Sequence, residues 1–324
     1  MGIKAHIQLV FLAFLLEYLT MKRRHFLQGV SALTLLPGTL PLTAQAQPTP
    51  GVASLTGRLA RLTGTDTNVV LFRGSNSVTV IDSGPASQAR AVAAAIADWA
   101  GNLPVSTLFN THWHADHTGG NEALRAAGAG IHAHENTRLW MSHDFEVEWR
   151  DTHHAARSPA ALPDHTFYGS GTKDLGGETV QYLYYPRAHT DGDIVLFFPD
   201  SNVMVAGGLV TDGTYPICDI ASGGWIGELL AANASMLDMI DDNTVLIPES
   251  GAPRTRADLQ AQHDMLADLY AKMKTMAQNG LSGQNMLDAN VTADYDNQWG
   301  DPTEFVLETY MGMALHTSDM GGFI

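Results

Sequence analysis

The chain has 324 residues, 45% of them hydrophobic and 8% aromatic, which is enough to bury a sizeable core and too apolar for a disordered chain. Acidic residues outnumber basic ones 34 to 18, for a formal charge of −16, and no Lys/Arg cluster stands outside the N-terminus, so no electrostatic footprint for nucleic acid is present. The single cysteine, Cys218, excludes an intramolecular disulfide and reads as a small, half-buried apolar residue.

Residues 1–46 read as an export signal to be set aside before the fold is considered. Met21-Lys22-Arg23-Arg24-His25-Phe26-Leu27 places a twin arginine before the apolar stretch Val30 to Leu42, and Ala44-Gln45-Ala46 supplies an Ala-x-Ala cleavage pattern. The expected partner is the twin-arginine export machinery. An ordinary secretory signal is the alternative, and either route gives a periplasmic or secreted protein. The earlier apolar run Ile7 to Leu16 ends at Glu17, well short of the ~20 residues a spanning helix needs, and Met21 is an alternative start. Cleavage after Ala46 removes Lys4, Lys22, Arg23 and Arg24 but only one acid, Glu17. The mature chain is then more acidic still, with no membrane span expected.

Residues 47–324 read as one domain. Val69 to Phe72 and Ser77 to Ile81 form an expected hairpin across Arg73-Gly74-Ser75-Asn76, which opens the domain. Ala86 to Trp99 has helical spacing, and Val105 to Phe109 reads as a strand leading into a histidine cluster. Glu122 to Ala127 and Asn136 to Met141 read as short helices on either side of a strand at Ile131 to Ala133. Residues 150–175 show no period and are expected either to line a site or to make a surface excursion. Strands follow at Thr179 to Tyr185, Ile194 to Phe198, Val203 to Ala206 and Thr244 to Ile247, with a helix at Trp225 to Ile240. Arg254 to Gln278 is a long helix whose Leu259, Met265, Leu266, Leu269, Met273 and Met276 form a core face. The order predicts a layered α/β domain with helices outside two sheets.

Asn110-Thr111-His112-Trp113-His114-Ala115-Asp116-His117-Thr118-Gly119-Gly120-Asn121 carries the chemistry. In an extended backbone residues i and i+2 face the same way, so His112 and His114 are expected to offer imidazoles to one ion. Neutral imidazoles suit zinc, and a catalytic zinc keeps three protein ligands and one open position, so a third histidine is required. Asp116 and His117 lie further round the turn. They are placed to face a neighbouring ion, or Asp116 to act as a general base on the attacking water.

This motif resembles that of the metallo-β-lactamase superfamily. Val80-Ile81-Asp82-Ser83-Gly84 resembles the family's second-hairpin strand, and Ala188-His189-Thr190-Asp191-Gly192-Asp193 its third-histidine segment. The resemblance, over roughly residues 55–280, implies a four-layer αββα sandwich, with metal ligands His112, His114 and His189 and second-site ligands Asp116 and His117. Two family ligands are missing: Gly208 stands where a bridging aspartate belongs, and Ser250, in Pro248-Glu249-Ser250-Gly251, where a histidine belongs. Glu249, Asp212 and Asp219 are possible oxygen substitutes, although surface or turn carboxylates are the default reading. His132, His134, His153 and His154 read as surface or loop residues. The expectation is one zinc per chain, catalytic Asp116 and hydrolysis of a small-molecule β-lactam, lactone or thioester. The alternative is a metal- or ligand-binding protein without turnover. Gly208→Asp with Ser250→His is expected to rebuild the second site.

Overall fold

In the computed structural model, residues 50–316 are described, so the export signal read at residues 1–46 lies outside the described residues. Strands β1 (Gly51–Ser54), β2 (Leu59–Thr63), β3 (Val70–Arg73) and β4 (Val78–Ile81) run antiparallel in order. The domain therefore opens one strand pair before the expected hairpin, with β1 exposed at the sheet edge and too polar in pattern to stand out. Helix α1 (Ala89–Ala100) crosses over to β5 (Val105–Phe109), which lies parallel to β4. Two short helices, α2 (Ala115–Thr118) and α3 (Asn121–Ala126), lead to β6 (Gly130–His134), again parallel, and then to helix α4 (Glu135–Ser142).

Residues 144–155 form a separate small unit, in which β7 (Phe145–Val147) and β8 (Thr152–His154) pair antiparallel and Phe145 stacks on His154 at 4.7 Å. Within residues 156–316, β9 (His165–Phe167) adds a parallel strand to β6 and completes a seven-stranded sheet. The aperiodic segment thus contributes sheet edges: β9 closes the first sheet, and β10 (Gly171–Asp174) opens the second. That second sheet runs β10, β11 (Thr179–Tyr185), β12 (Asp193–Phe198), β13 (Val203–Gly207) and β14 (Val245–Pro248). It is antiparallel except for β13 beside β14, which helix α5 (Ile226–Met239) connects.

Three apolar clusters define the layers. Leu59, Val70, Phe72, Ile81 and Phe109 of the first sheet meet Ile194, Leu196, Phe198, Val205 and Ile247 of the second, so the two inner faces bury one another. The outer face of the first sheet packs on α1 and α3 through Val92, Ile96 and Leu124. The outer face of the second packs on α5 and on α6 (Arg256–Gln278), whose expected stripe of Leu259, Met265, Leu266, Leu269 and Met273 is buried. Helices α7 (Gly283–Asp288), α8 (Asp296–Trp299) and α9 (Thr303–Leu315) extend that outer layer. The architecture is the αββα sandwich, and among the described residues no helix is long and apolar enough to cross a membrane.

Phe72 and Phe198 stack across the two sheets with ring centroids 5.4 Å apart, both fully buried. Phe72→Ala is expected to lower unfolding free energy by about 3–5 kcal/mol, read as a reduced urea midpoint at unchanged slope.

Candidate metal centre

The register of β4 and β5 sets the site. Ile81 pairs with Phe109, so the residues just past both strand ends, Asp82 and Thr111, fall side by side at one edge of the sandwich. Asp82 is buried and held at φ 57°. Its carboxylate accepts from Thr111 N (2.8 Å), Thr111 Oγ1 (2.7 Å) and His117 Nδ1 (2.8 Å). Ile194 N of β12 donates to the Thr111 carbonyl at 2.8 Å, which ties the second sheet to the same point. His189 precedes β12 in a turn held by Asp193, whose buried carboxylate accepts from His189 N (2.7 Å), Thr190 N (2.8 Å) and Thr190 Oγ1 (2.6 Å).

His112, His114 and His189 converge, each offering one nitrogen within 4.8 Å of the others. His112 and His114 lie in the turn beyond β5 rather than in extended strand, yet their rings come within 4.7 Å. The outward nitrogen of each ring fixes its tautomer. Thr111 Oγ1 spends its one proton on Asp82, so at His112 Nδ1 (3.0 Å) it accepts, and the lone pair of His112 is on Nε2. His189 Nδ1 donates to the Ile217 carbonyl at 2.7 Å, and His114 Nε2 donates to Asp219 Oδ2 at 3.2 Å. In neutral rings the inward lone pairs are therefore those of His112 Nε2, His114 Nδ1 and His189 Nε2.

A metal ion fits this arrangement. His112 Nε2 is buried with no hydrogen-bond partner, and His114 Nδ1 faces His189 Nε2 at 3.1 Å, a contact between two acceptors that a shared cation relieves. Ligand nitrogens about 2.0–2.1 Å from a tetrahedral zinc stand about 3.3 Å apart, close to this separation. Burial, reinforced by the neighbouring imidazoles, holds His112 well below the usual histidine range and lowers His189 to about 3, so both are neutral, as ligands must be.

The second position differs. Burial alone would lower the pKa of His117, but the charge and hydrogen bond of Asp82, with Asp116 and Glu249, raise it to about 9. Asp116 Oδ2 lies 3.9 Å from His117 Nε2, and its side chain is 55% exposed at the lip of the site. Glu249 is half-buried and faces the same groups: burial raises its pKa to about 7, with Asp116 adding to and His117 and His114 opposing the shift. Its loop is clamped, since Asn68 N donates to the Glu249 carbonyl (2.8 Å) and Asn68 Nδ2 to that of Pro248 (2.9 Å). The other two acids weighed as substitutes are engaged elsewhere. Asp219 is buried against His114 and Ser222 Oγ (2.5 Å), and Asp212 binds Arg254 (2.6 Å) and Ala252 N (2.7 Å).

Gly208 is not simply a missing ligand. A Cβ there would fall 2.3 Å from Cδ2 and 2.7 Å from Cγ of His189, whose ring is pinned by Ile217. An aspartate at 208, expected with Ser250→His to rebuild a second site, therefore needs the His189 ring to move, because its first carbon would collide with that ring. His132 and His134, expected on the surface, belong to β6: His132 is half-buried and stacks on His165 at 4.4 Å, and buried His134 stacks on Tyr184 at 3.8 Å. Neither joins the cluster; His153 and His154 lie in β8. Sequence reasoning assigned no role to Thr111 or to the Ile217 carbonyl. Thr111 was detectable only as a hydroxyl beside the first ligand, and a backbone oxygen leaves no signal.

A family model described as the metallo-beta-lactamase superfamily matches residues 62–247. A metallo-beta-lactamase type 2 of Bacteroides fragilis is 28% identical over 108 residues, 33% of this chain and 38% of that protein. An atrochrysone carboxyl ACP thioesterase of Passalora fulva is 28% identical over 157 residues, 46% of this chain and 41% of that protein. The chain thus spans well under half the length of these curated relatives. Among solved structures, a metallo-beta-lactamase from Pontibacter korlensis superposes with a TM-score of 0.55 at 20% identity, covering 68% of this chain and 99% of that one. A stereoselective inverting sec-alkylsulfatase from Pseudomonas sp. gives 0.62 at 17% identity, over 81% and 50%. These superpositions speak to the fold.

Gly208→Asp is expected to displace the His189 ring and weaken metal binding at the three-histidine site, leaving stoichiometry at or below one ion per chain. Metal analysis of purified protein after dialysis checks it. Stoichiometry rising toward two would show that the ring gives way and the second site reforms.

Proposed function

The chain belongs to the metallo-beta-lactamase superfamily, and from that premise we propose that it is an exported hydrolase using one zinc ion at His112, His114 and His189 to cleave a β-lactam, lactone or thioester. The observation that carries this reading is the convergence of three imidazoles, each held by a hydrogen bond on its outward nitrogen. A divalent ion so held supplies Lewis-acid chemistry, polarising a carbonyl and making water acidic near neutral pH.

The chain's own residues do the rest. Asp116 is exposed beside His117, and its Oδ2 is the group assigned to take the proton of the attacking water. His117, pinned by Asp82, lies behind it, with its Nε2 3.9 Å from Asp116 Oδ2. Glu249 adds a second proton acceptor on the same wall. The β-lactam and thioester classes have support from the named activities of relatives, each matched over a minority of its length.

The second reading, a binding protein without turnover, is favoured by the place of Gly208, where the His189 ring occupies the space of a bridging carboxylate. Assays of the zinc-loaded mature protein on panels of β-lactams, lactones and thioesters separate the two. Turnover is expected in at least one panel, abolished in His114→Ala and lowered about 10²–10⁴-fold in kcat by Asp116→Asn. No panel exceeding the His114→Ala control would leave the binding reading standing.

Export is proposed to use the twin-arginine route. Changing Arg23 and Arg24 together to lysine is expected to strand the precursor in the cytoplasm, followed by fractionation and immunoblotting. Unchanged export would assign the general secretory route.

A further inference from the structure

The last helices lie beyond the family match at residues 62–247, yet they cover the strap of residues 215–225 that supports the metal centre from outside. This strap carries both groups that fix two ligands, the Ile217 carbonyl on His189 Nδ1 (2.7 Å) and the Asp219 carboxylate on His114 Nε2 (3.2 Å). It is also bonded to the backbone around His189: Asp219 N donates to the His189 carbonyl (2.7 Å), and Trp225 N to that of Arg187 (2.8 Å).

The outer side of the strap rests on the C-terminal helices. Tyr215 N donates to the Trp299 carbonyl (3.1 Å), Tyr215 Oη to Asp296 Oδ1 (2.8 Å), and its ring stacks on Phe305 at 5.0 Å. Helix α9 buries Phe305, Val306, Thr309, Gly312 and Met313, the spacing of one helical face. At Gly312 the backbone comes so close that a Cβ would stand 3.2 Å from Cε3 of Trp225 and 3.3 Å from Cγ2 of Ile220. His316 closes the contact by stacking on Trp225, with centroids 4.5 Å apart and planes at 17°.

We propose that Asp219, and the C-terminal helix that packs its strap, are positioning elements that set the affinity and coordination geometry of the three-histidine site. The physical link is short. If Asp219 is lost, the Nε2 proton of His114 loses its carboxylate acceptor, and the tautomer presenting N–H to the ion becomes more accessible. If α9 shifts the strap, the acceptors for His114 and His189 move together. Partners of this kind, behind a ligating histidine, typically change metal affinity about 10–100-fold. The proposal rests on the metal-binding reading above and does not depend on any substrate.

The test uses the full mature chain, with zinc affinity read by competition against a chromophoric chelator and geometry by the visible absorption of the cobalt-loaded protein. Asp219→Ala is expected to weaken zinc binding about 10–100-fold, and Asp219→Asn, which keeps an acceptor oxygen, to restore most of it. Gly312→Val is expected to weaken binding and alter the cobalt spectrum; if it does not fold, Gly312→Ala, which forces a milder shift, takes its place. Ile96→Ala, which loosens the opposite helical layer, should lower thermal stability while leaving affinity and spectrum unchanged. Parental affinity and spectrum in folded Asp219→Ala or in the folded Gly312 variant overturn the proposal. An equal loss of affinity in Ile96→Ala does so as well, because the effect would then be general destabilisation. No zinc binding by the parent protein would instead sink the metal-centre reading itself.

Discussion

The buried carboxylate of Asp82 is the constraint on which the centre depends. Three donors converge on it, two from Thr111 and one from His117, and Thr111 in turn accepts from His112 and from the backbone of β12. One charge thereby fixes the turn after β5, the tautomer of the first ligand and the junction between the sheets. A carboxylate in so buried a place is tolerable only because every approach to it is a donor. Its left-handed backbone, at φ 57°, is one that aspartate accepts more readily than most residues.

Around that hub the histidines divide by electrostatics. His112 and His189 are buried beside other imidazoles and stay neutral, which keeps their lone pairs available. His117 stands among Asp82, Asp116 and Glu249 and is pushed the other way, to about 9. Neighbouring residues of one motif are thus shifted in opposite directions by their partners, as perturbed groups at functional sites often are. The change at 208 fits this division: the His189 ring takes the room of a side chain and remains bonded to the strap behind it.

Much of the fold was legible because local patterns agreed with it. The β-branched runs that became β3 to β6 and β11 to β14, and the stripe of α6, are strong periodic signals. The weak places were physical rather than accidental. β1 is an exposed edge strand without alternation, β9 and β10 are three or four residues long, and α9 hides its face behind Gly312 and Thr309. Short or edge elements gain their order from neighbours far along the chain, which no window of sequence contains.

The spacing of His112 and His114, together with the family resemblance of the segment around His189, was enough to name the three histidines that the structure brings together. It was also enough to mark Gly208 and Ser250 as departures from the family pattern. What only the tertiary structure decided is the set of contacts behind the ligands: Asp219 turned from a candidate ligand into the acceptor for His114, Ile217 offering its carbonyl to His189, and the His189 ring filling the space above Gly208. These depend on ångström-scale approaches between residues 19 to 105 positions apart, or on a backbone oxygen common to every residue type, and residue identity encodes neither.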